Sequence, residues 1–344
     1  MIKAITEKNE WRTLIKEFTA DVYYLPEYLE AFRIHGDGEP TLLLFDNGRV
    51  RAINAVMRRS ISFAGYENFC DFSTVYGYGG WIFNSKPNPA DISALDTELT
   101  DYCKSIGCIS EFVRFNPVLG NTEGMNKLYD IAYVGNTISM DINGNAEAIM
   151  ANISSKNRNI IRKALKSGIE ISSSSDISAY EEFIPIYNAT MDRDSAKDYY
   201  YFGRDFYEKL RLGLNDHATV YRGMLDGKTI VAAIILFYGK NAHYFLSGSL
   251  AEYRQYAANN LLLYTVACEL GERGYEKFHL GGGVGGNIHD GLYHFKESFN
   301  KKGVLPFYVG KKIYDNEIYR KLSECNRNVR LQTVDSGYFP QYRA

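Results

Sequence analysis

Two apolar, β-branched runs broken by turn residues stand out in the hydrophobic pattern. In the first, residues 41–45 and 50–57 flank Asp46-Asn47-Gly48. In the second, residues 218–224 and 229–238 flank Leu225-Asp226-Gly227. Turn residues that tolerate positive φ between two such runs predict antiparallel hairpins. The same order of elements then recurs. After the first hairpin come a Tyr/Gly strand (75–80), an amphipathic helix over 91–106 stopped by Gly107, and a strand over 111–115. After the second come a strand over 243–247, a helix over 259–273 stopped by Gly274, and a strand over 277–280. A periodic helix closed by glycine in both halves supports both helices. Matched positions lie 167 or 168 residues apart (Tyr76 and Tyr244, Gly107 and Gly274, Glu111 and Phe278). The turns, Gly48 and Gly227, are 179 apart and require an insertion in one half. The expectation is an α/β (α+β) class protein made of two copies of one unit, with mixed, mainly antiparallel sheets. The boundary falls in 120–139, giving domains 1–135 and 136–344.

Composition narrows the class. The 344 residues carry 39 Lys+Arg against 41 Asp+Glu, a net charge of −2, which argues against a general duplex-DNA binder. Five cysteines (Cys70, Cys103, Cys108, Cys268, Cys325) form no CxxC pair and no zinc-ligand spacing, so they read as reduced thiols. Residues 1–11 lack the apolar core of a signal peptide, and the run 230–238 is too short to cross a bilayer. A cytoplasmic protein without membrane insertion is expected, with peripheral contact only through a lipid-linked substrate. Tyrosine is abundant, 28 residues against 19 Phe and 2 Trp, and suits half-wet clefts.

Several segments, in order, carry a family resemblance. They are Asp21-Val-Tyr-Tyr-Leu-Pro-Glu-Tyr-Leu, Tyr76-Gly-Tyr-Gly-Gly, Lys156-Asn-Arg-Asn-Ile-Ile-Arg-Lys-Ala-Leu-Lys-Ser-Gly, His243-Tyr-Phe-Leu-Ser-Gly-Ser, His279-Leu-Gly-Gly-Gly and Leu292-Tyr-His-Phe-Lys-Glu-Ser-Phe. Each half resembles the GNAT acyltransferase fold, and the tandem pair resembles the FemAB-type and BioF2-like aminoacyl or acyl transferases. The resemblance implies a tandem pair of GNAT-like domains with the active cleft in the second. It also implies transfer of an activated acyl group to an amine, with aminoacyl-tRNA or acyl-CoA as donor and no tightly bound cofactor. The acceptor would be a cell-wall (peptidoglycan) precursor, an amino sugar or another small amine. A non-catalytic precursor-binding protein on a decayed GNAT pair is the remaining alternative. No sustained heptads mark the coiled-coil arm that FemAB-type members often carry, which keeps the donor open.

Candidate residues follow segment by segment. Residues 154–168 hold Lys156, Arg158, Arg162, Lys163 and Lys166 without one acid, over an apolar stripe of Ile160, Ile161, Ala164 and Leu165. This reads as a phosphate-facing helix capped by Ser154 or Ser155, with a solvated basic face as the competing reading. The resemblance places acceptor binding near Arg193, Tyr200 and Phe202, where an arginine would clamp a carboxylate or phosphate. It places the opening of the sheet near Tyr244 and Ser247, and leaves Tyr76 and Tyr78 as cleft or scaffold. In Arg254-Gln-Tyr-Ala-Ala-Asn, Arg254 fits the start of a pyrophosphate turn, but Ala257 and Asn259 stand where acyl-CoA users have small-loop residues. Gly282 and Gly283 give backbone room beside a substrate, in a glycine run that matches neither a P-loop nor a dinucleotide fingerprint. The F-K-x-x-F setting makes Lys296 the first catalytic candidate, as an oxyanion stabiliser, and Asp290 a general-base candidate from its closeness in sequence. His279, His289 and His294 have no compact metal-ligand spacing, and no metal is expected.

Overall fold

The computed structural model describes residues 1–330 and 337–344. The chain begins β1 (Ile2–Ile5), α1 (Lys8–Ile15), α2 (Pro26–His35), β2 (Glu39–Asp46), β3 (Arg51–Ser60), β4 (Cys70–Ser73), β5 (Ile82–Phe83), α3 (Pro89–Ser105), β6 (Cys108–Arg114) and β7 (Asp130–Asp141). It continues α4 (Ala146–Asn152), α5 (Ser155–Leu165), β8 (Glu170–Ser174), α6 (Ile177–Arg193), α7 (Arg204–Leu214), β9 (Ala218–Leu225), β10 (Lys228–Tyr238) and β11 (Asn241–Ser249). Last come α8 (Ala258–Glu272), β12 (Lys277–Gly282), α9 (Gly291–Glu297), β13 (Val304–Ile313) and α10 (Asn316–Arg330).

Two units form, Met1–Val134 with Phe307–Ala344, and Gly135–Pro306. Strands in the first follow the order β1-β2-β3-β4-β6-β13, with β5 on β3, and only β4/β6 is parallel among the described residues. Strands in the second follow β8-β9-β10-β11-β12-β7, and again only one pair, β11/β12, is parallel among the described residues. Each unit is therefore a hairpin, a third antiparallel strand, a crossover helix (α3 or α8) and a fourth strand parallel to the third. That is the mixed, mainly antiparallel architecture the hydrophobic pattern implies. The second hairpin turns through Asp226 (φ 49°) and Gly227 (φ 76°), both in the left-handed region that a tight two-residue hairpin requires.

The apolar run in β10 has a packing cause. Val231, Ala233, Ile235 and Phe237 join α8 residues such as Leu262 and Val266 in one buried cluster. Ala232, Ile234 and Leu236 are also buried and alternate to the other face, and α6 packs on the same strand. A strand covered on both sides reads as a continuous apolar run. Each fully buried large aliphatic side chain contributes about 1.5–3 kcal/mol.

Two expectations change. Residues 307–344, expected in the second domain, fold with the first unit. There β13 pairs with β6 from Val309↔Arg114 to Ile313↔Ser110, and Leu322 and Tyr342 cluster with Ile61 and Ile109. The third strand of the first unit is β4, Cys70–Ser73, rather than residues 75–80. Those residues form a tight turn instead. Gly77 has φ 105°, and a Cβ there would lie 2.4 Å from the Tyr23 ring.

Candidate active site

The parallel pair in the second unit comes apart. β11 and β12 pair only at Asn241↔Lys277, Ala242↔Phe278 and His243↔His279, after which β11 runs on to Ser249 and β12 to Gly282 without further pairing to each other. Irregularities on both strands accompany the parting. The β10/β11 register shifts so that Ile234 faces Leu246 and Ile235 faces Tyr244, leaving Phe245 as the extra residue. The β12/β7 register shifts between His279 and Gly281, and bulges of this kind bend a strand away from its neighbour. In the first unit the matching strands stay joined. Thr74 N–H donates to the Phe112 carbonyl (2.9 Å), Gly79 N–H donates to Arg114 (2.8 Å), and Gly79 bridges Phe115.

The helices that follow differ in the same sense. The start of α3 is closed by a capping box, Asn88 accepting from the Ala90 and Asp91 amides and Asp91 accepting from the Asn88 amide. The start of α8 has no side-chain cap; Ala257 stands there at φ 53°. The second unit thus presents an opened sheet and an uncapped helix start, an arrangement suited to an anionic or carbonyl-bearing ligand. Ala257 keeps the left-handed turn without a glycine. Ala257→Gly should relieve about 1 kcal/mol of backbone strain, read as a higher urea midpoint; an unchanged or lower midpoint would refute that strain.

Lys296 lies at this opening. Its side chain on α9 is 8% exposed, and Nζ donates to the Gly282 carbonyl at 2.8 Å. Gly281, at φ 75°, bends the end of β12 over it; a Cβ there would lie 3.3 Å from Nζ. Burial pulls the Lys296 ammonium down to about 8, with the Asp290 carboxylate partly opposing. His279 is buried edge-to-face against His243 (5.5 Å between rings) and is held well below its ordinary value, first by burial, then by His243 and the Lys296 charge. A desolvated cation beside a strand end stabilises negative charge developing on a carbonyl oxygen.

Asp290 does something else. Its Oδ2 accepts the Val284 amide at 2.9 Å, and that bond, with others from the amides opening α9, lowers its pKa. It clasps the glycine loop, and a carboxylate held this acidic is a poor acceptor for an amine's proton. Gly283 belongs to the same clasp, since a Cβ there would meet the Asn287 carbonyl at 2.6 Å and Asp290 Oδ2 at 2.9 Å.

The other expected residues spread out. Tyr244 and Ser247 are half-buried on β11; burial pushes the Tyr244 phenol up to about 12, with a Ser247 hydrogen bond opposing. Arg193 Nη1 donates to the Ser249 carbonyl (3.0 Å), fixing the end of α6 to the end of β11. Tyr200 lends its carbonyl to the Tyr187 hydroxyl at 3.0 Å. Phe202 is core rather than cleft, 4% exposed and stacked on Phe206 at 4.4 Å. Tyr76 and Tyr78 pack within the first unit, Tyr76 on Phe32 and Tyr78 against Tyr23 and Phe307.

Helix α5 forms where the basic run predicts it, with the Ser154 hydroxyl accepting the Asn157 amide at its start (3.4 Å). Lys156 is exposed, Arg162 bonds Asn159 on the helix surface, and Arg158 donates to the Ile153 and Ala151 carbonyls that end α4. Arg254 is exposed in the turn before α8. One network has no sequence signal. Buried Asn157 donates to Ser298 Oγ (2.9 Å) and accepts from Asn260 (2.7 Å), while the Ser154 amide donates to the Ser298 carbonyl (2.9 Å). These bonds join the starts of α5 and α8 to the residue that follows α9.

Residues 155–297 match the family model for an acetyltransferase (GNAT) domain, the stretch that holds the opened strands, α8 and Lys296. Over 255 residues the chain is 22% identical to the UDP-N-acetylmuramoylpentapeptide-lysine N(6)-alanyltransferase of Weissella viridescens, covering 67% of this chain and 74% of that protein. The crystal structure of FemX superposes with a TM-score of 0.68 at 15% identity, covering 93% of this chain and 99% of FemX. The structure of L-PGS from Bacillus licheniformis gives 0.59 at 12% identity, covering 89% and 92%. With its two like-built units and its opened second sheet, the chain has a GNAT domain over residues 155–297 and is similar to the FemAB-type group of GNAT-fold proteins.

Proposed function

We propose that the protein is an aminoacyltransferase that moves an aminoacyl group from aminoacyl-tRNA onto an amine of a peptidoglycan precursor. The observation that carries this reading is the buried Lys296 ammonium at the mouth of the parted β11 and β12 strands. The acceptor's neutral amine attacks the ester carbonyl carbon, forming the C–N bond and a tetrahedral oxyanion. Lys296 stabilises that oxyanion. The C–O bond to the ribose of the tRNA then breaks, and the amine's surplus proton passes to the ribose oxygen, directly or through water. Among the described residues no carboxylate is poised as the base, so orientation in the cleft supplies much of the rate. The alanyltransferase relative acts, by its name, on a lysine of a UDP-linked muramoyl pentapeptide, which supports a nucleotide-linked precursor as acceptor. Both substrates of this reading are cytoplasmic, and no helix among the described residues is long and apolar enough to cross a membrane.

Mass spectrometry of a UDP-muramoyl pentapeptide incubated with the protein and either charged tRNA or acetyl-CoA tests the donor. The expected product is the precursor plus one aminoacyl residue, formed only with charged tRNA. Acetylation alone would replace this reading with an acyl-CoA enzyme, and tight precursor binding without turnover would replace it with a binding protein.

A further inference from the structure

Helix α5 carries a cationic stripe that the transfer chemistry does not use. Steps of about 100° per residue place Lys156, Arg162, Lys163 and Lys166 within an arc of about 120°. Asn157, Ile161 and Ala164 face the opposite way and are buried, while the four cations are exposed. None of the four forms an ion pair among the described residues, although other cations of this unit do, Arg204 with Glu181 and Arg222 with Glu182. The helix is fixed to the candidate site through Asn157, Ser298 and Asn260, and Ser298 lies two residues beyond Lys296.

We infer that this face of α5 docks the phosphate backbone of the tRNA donor, an inference that rests on the aminoacyl-tRNA reading above. Length is the first argument. From Lys156 to Lys166 the stripe extends about 15 Å along the helix axis, more than one pyrophosphate occupies and suited to successive phosphates of a strand. Position is the second. A strand lying on a helix tied to the end of α9 and the start of α8 brings its acylated 3′ end toward Lys296. A membrane surface fits less well, because Ile161 and Ala164 are buried against the unit and Leu165 is the one large apolar side chain the helix exposes, too little for an insertion face.

The test measures affinity of the full-length protein for bulk uncharged tRNA by fluorescence anisotropy between 50 and 250 mM salt. The quadruple variant Lys156→Glu, Arg162→Glu, Lys163→Glu, Lys166→Glu is compared with the milder set in which all four become Gln. Wild type should bind with a steep salt dependence. The Glu variant should bind at least tenfold more weakly at low salt, with a slope shallower by about 3, and the Gln variant should fall between them. Thermal midpoints within about 2 °C of wild type are expected, since all four side chains are exposed. Should the Gln and Glu variants bind tRNA with wild-type affinity and slope, α5 is not the docking face, while transfer from charged tRNA by wild type would still uphold the donor reading. If wild type shows no salt-dependent tRNA binding and no transfer from charged tRNA, both fall. Were the substitutions instead to abolish binding to phosphatidylglycerol vesicles and spare tRNA, the face would be a membrane contact and the inference overturned.

Discussion

Lys296→Met is expected to slow transfer by 10²- to 10³-fold while making the folded protein more stable at neutral pH. The loss follows from removing the buried ammonium at the opening of the second sheet; a single oxyanion donor is worth about 2.7–4 kcal/mol in the transition state. The gain in stability follows from desolvation. The ammonium sits at about 8 in the fold against an ordinary 10.5, because burial disfavours its charge. Below pH 8 the fold bears the whole cost of that buried charge, about 3 kcal/mol. The cost shrinks as pH rises from 8 and is gone above 10.5. Methionine removes it but leaves the Gly282 carbonyl without its donor, at a cost of about 1–3 kcal/mol. A net rise of about 1 kcal/mol near pH 7, turning to a net loss of about 1 kcal/mol near pH 10 where the unpaired carbonyl outweighs the relieved charge, is the expected balance. Urea unfolding of the two proteins at both pH values reads this directly. Retained activity within twofold would remove Lys296 from the mechanism, and a large stability loss would make it a structural residue.

Asp71→Ala should have the largest effect on folding, a loss of about 3–5 kcal/mol. Asp71 is fully buried on β4 and accepts from Arg59 Nε (2.6 Å), Arg343 Nε (2.6 Å) and the Tyr342 hydroxyl (2.9 Å). The Tyr342 hydroxyl also meets Ser110 on β6 at 2.8 Å. One carboxylate thus holds the last residues of the chain to two strands of the first unit. Its removal leaves two half-buried guanidinium groups facing each other without an anion. Equilibrium denaturation should show the drop, with Asp71→Asn intermediate because its amide oxygen still accepts. A loss below 1 kcal/mol would show that the two arginines find solvent instead.

The same residue shows where the sequence is silent. The hairpins, α3 and α8 are legible because local period, turn chemistry and glycine stops all agree for them. β4 is not. A four-residue strand containing a charged side chain looks like a loop until Arg343, 272 positions away, is seen to neutralise it. Residues 307–344 likewise reveal their unit only through pairing with β6, a contact no local pattern encodes. In the candidate site, Lys296 is legible through its F-K-x-x-F setting, but its burial depends on the path of Gly281 and Gly282. Asp290 is near Lys296 in sequence and in space, yet its amide partners make it a clasp. Phe202 sits in an aromatic-rich segment that suits a cleft wall equally well, and its stacking on Phe206 is what assigns it to the core. The basic run of α5 is fully legible as charge; its orientation depends on Asn157, whose partners lie 103 and 141 residues away.

The most direct test of the Lys296 mechanism is the single-turnover rate of aminoacyl transfer to a UDP-muramoyl pentapeptide, measured by rapid quench between pH 6 and 10. The rate should rise as the acceptor amine, ordinarily near about 10.4, loses its proton, and then level off above about 8, where loss of the Lys296 charge cancels the gain in neutral amine. The residual activity of Lys296→Met should keep rising to pH 10. A wild-type rate that also keeps rising to pH 10, or a Lys296→Met rate that levels off at the same pH, would contradict the mechanism.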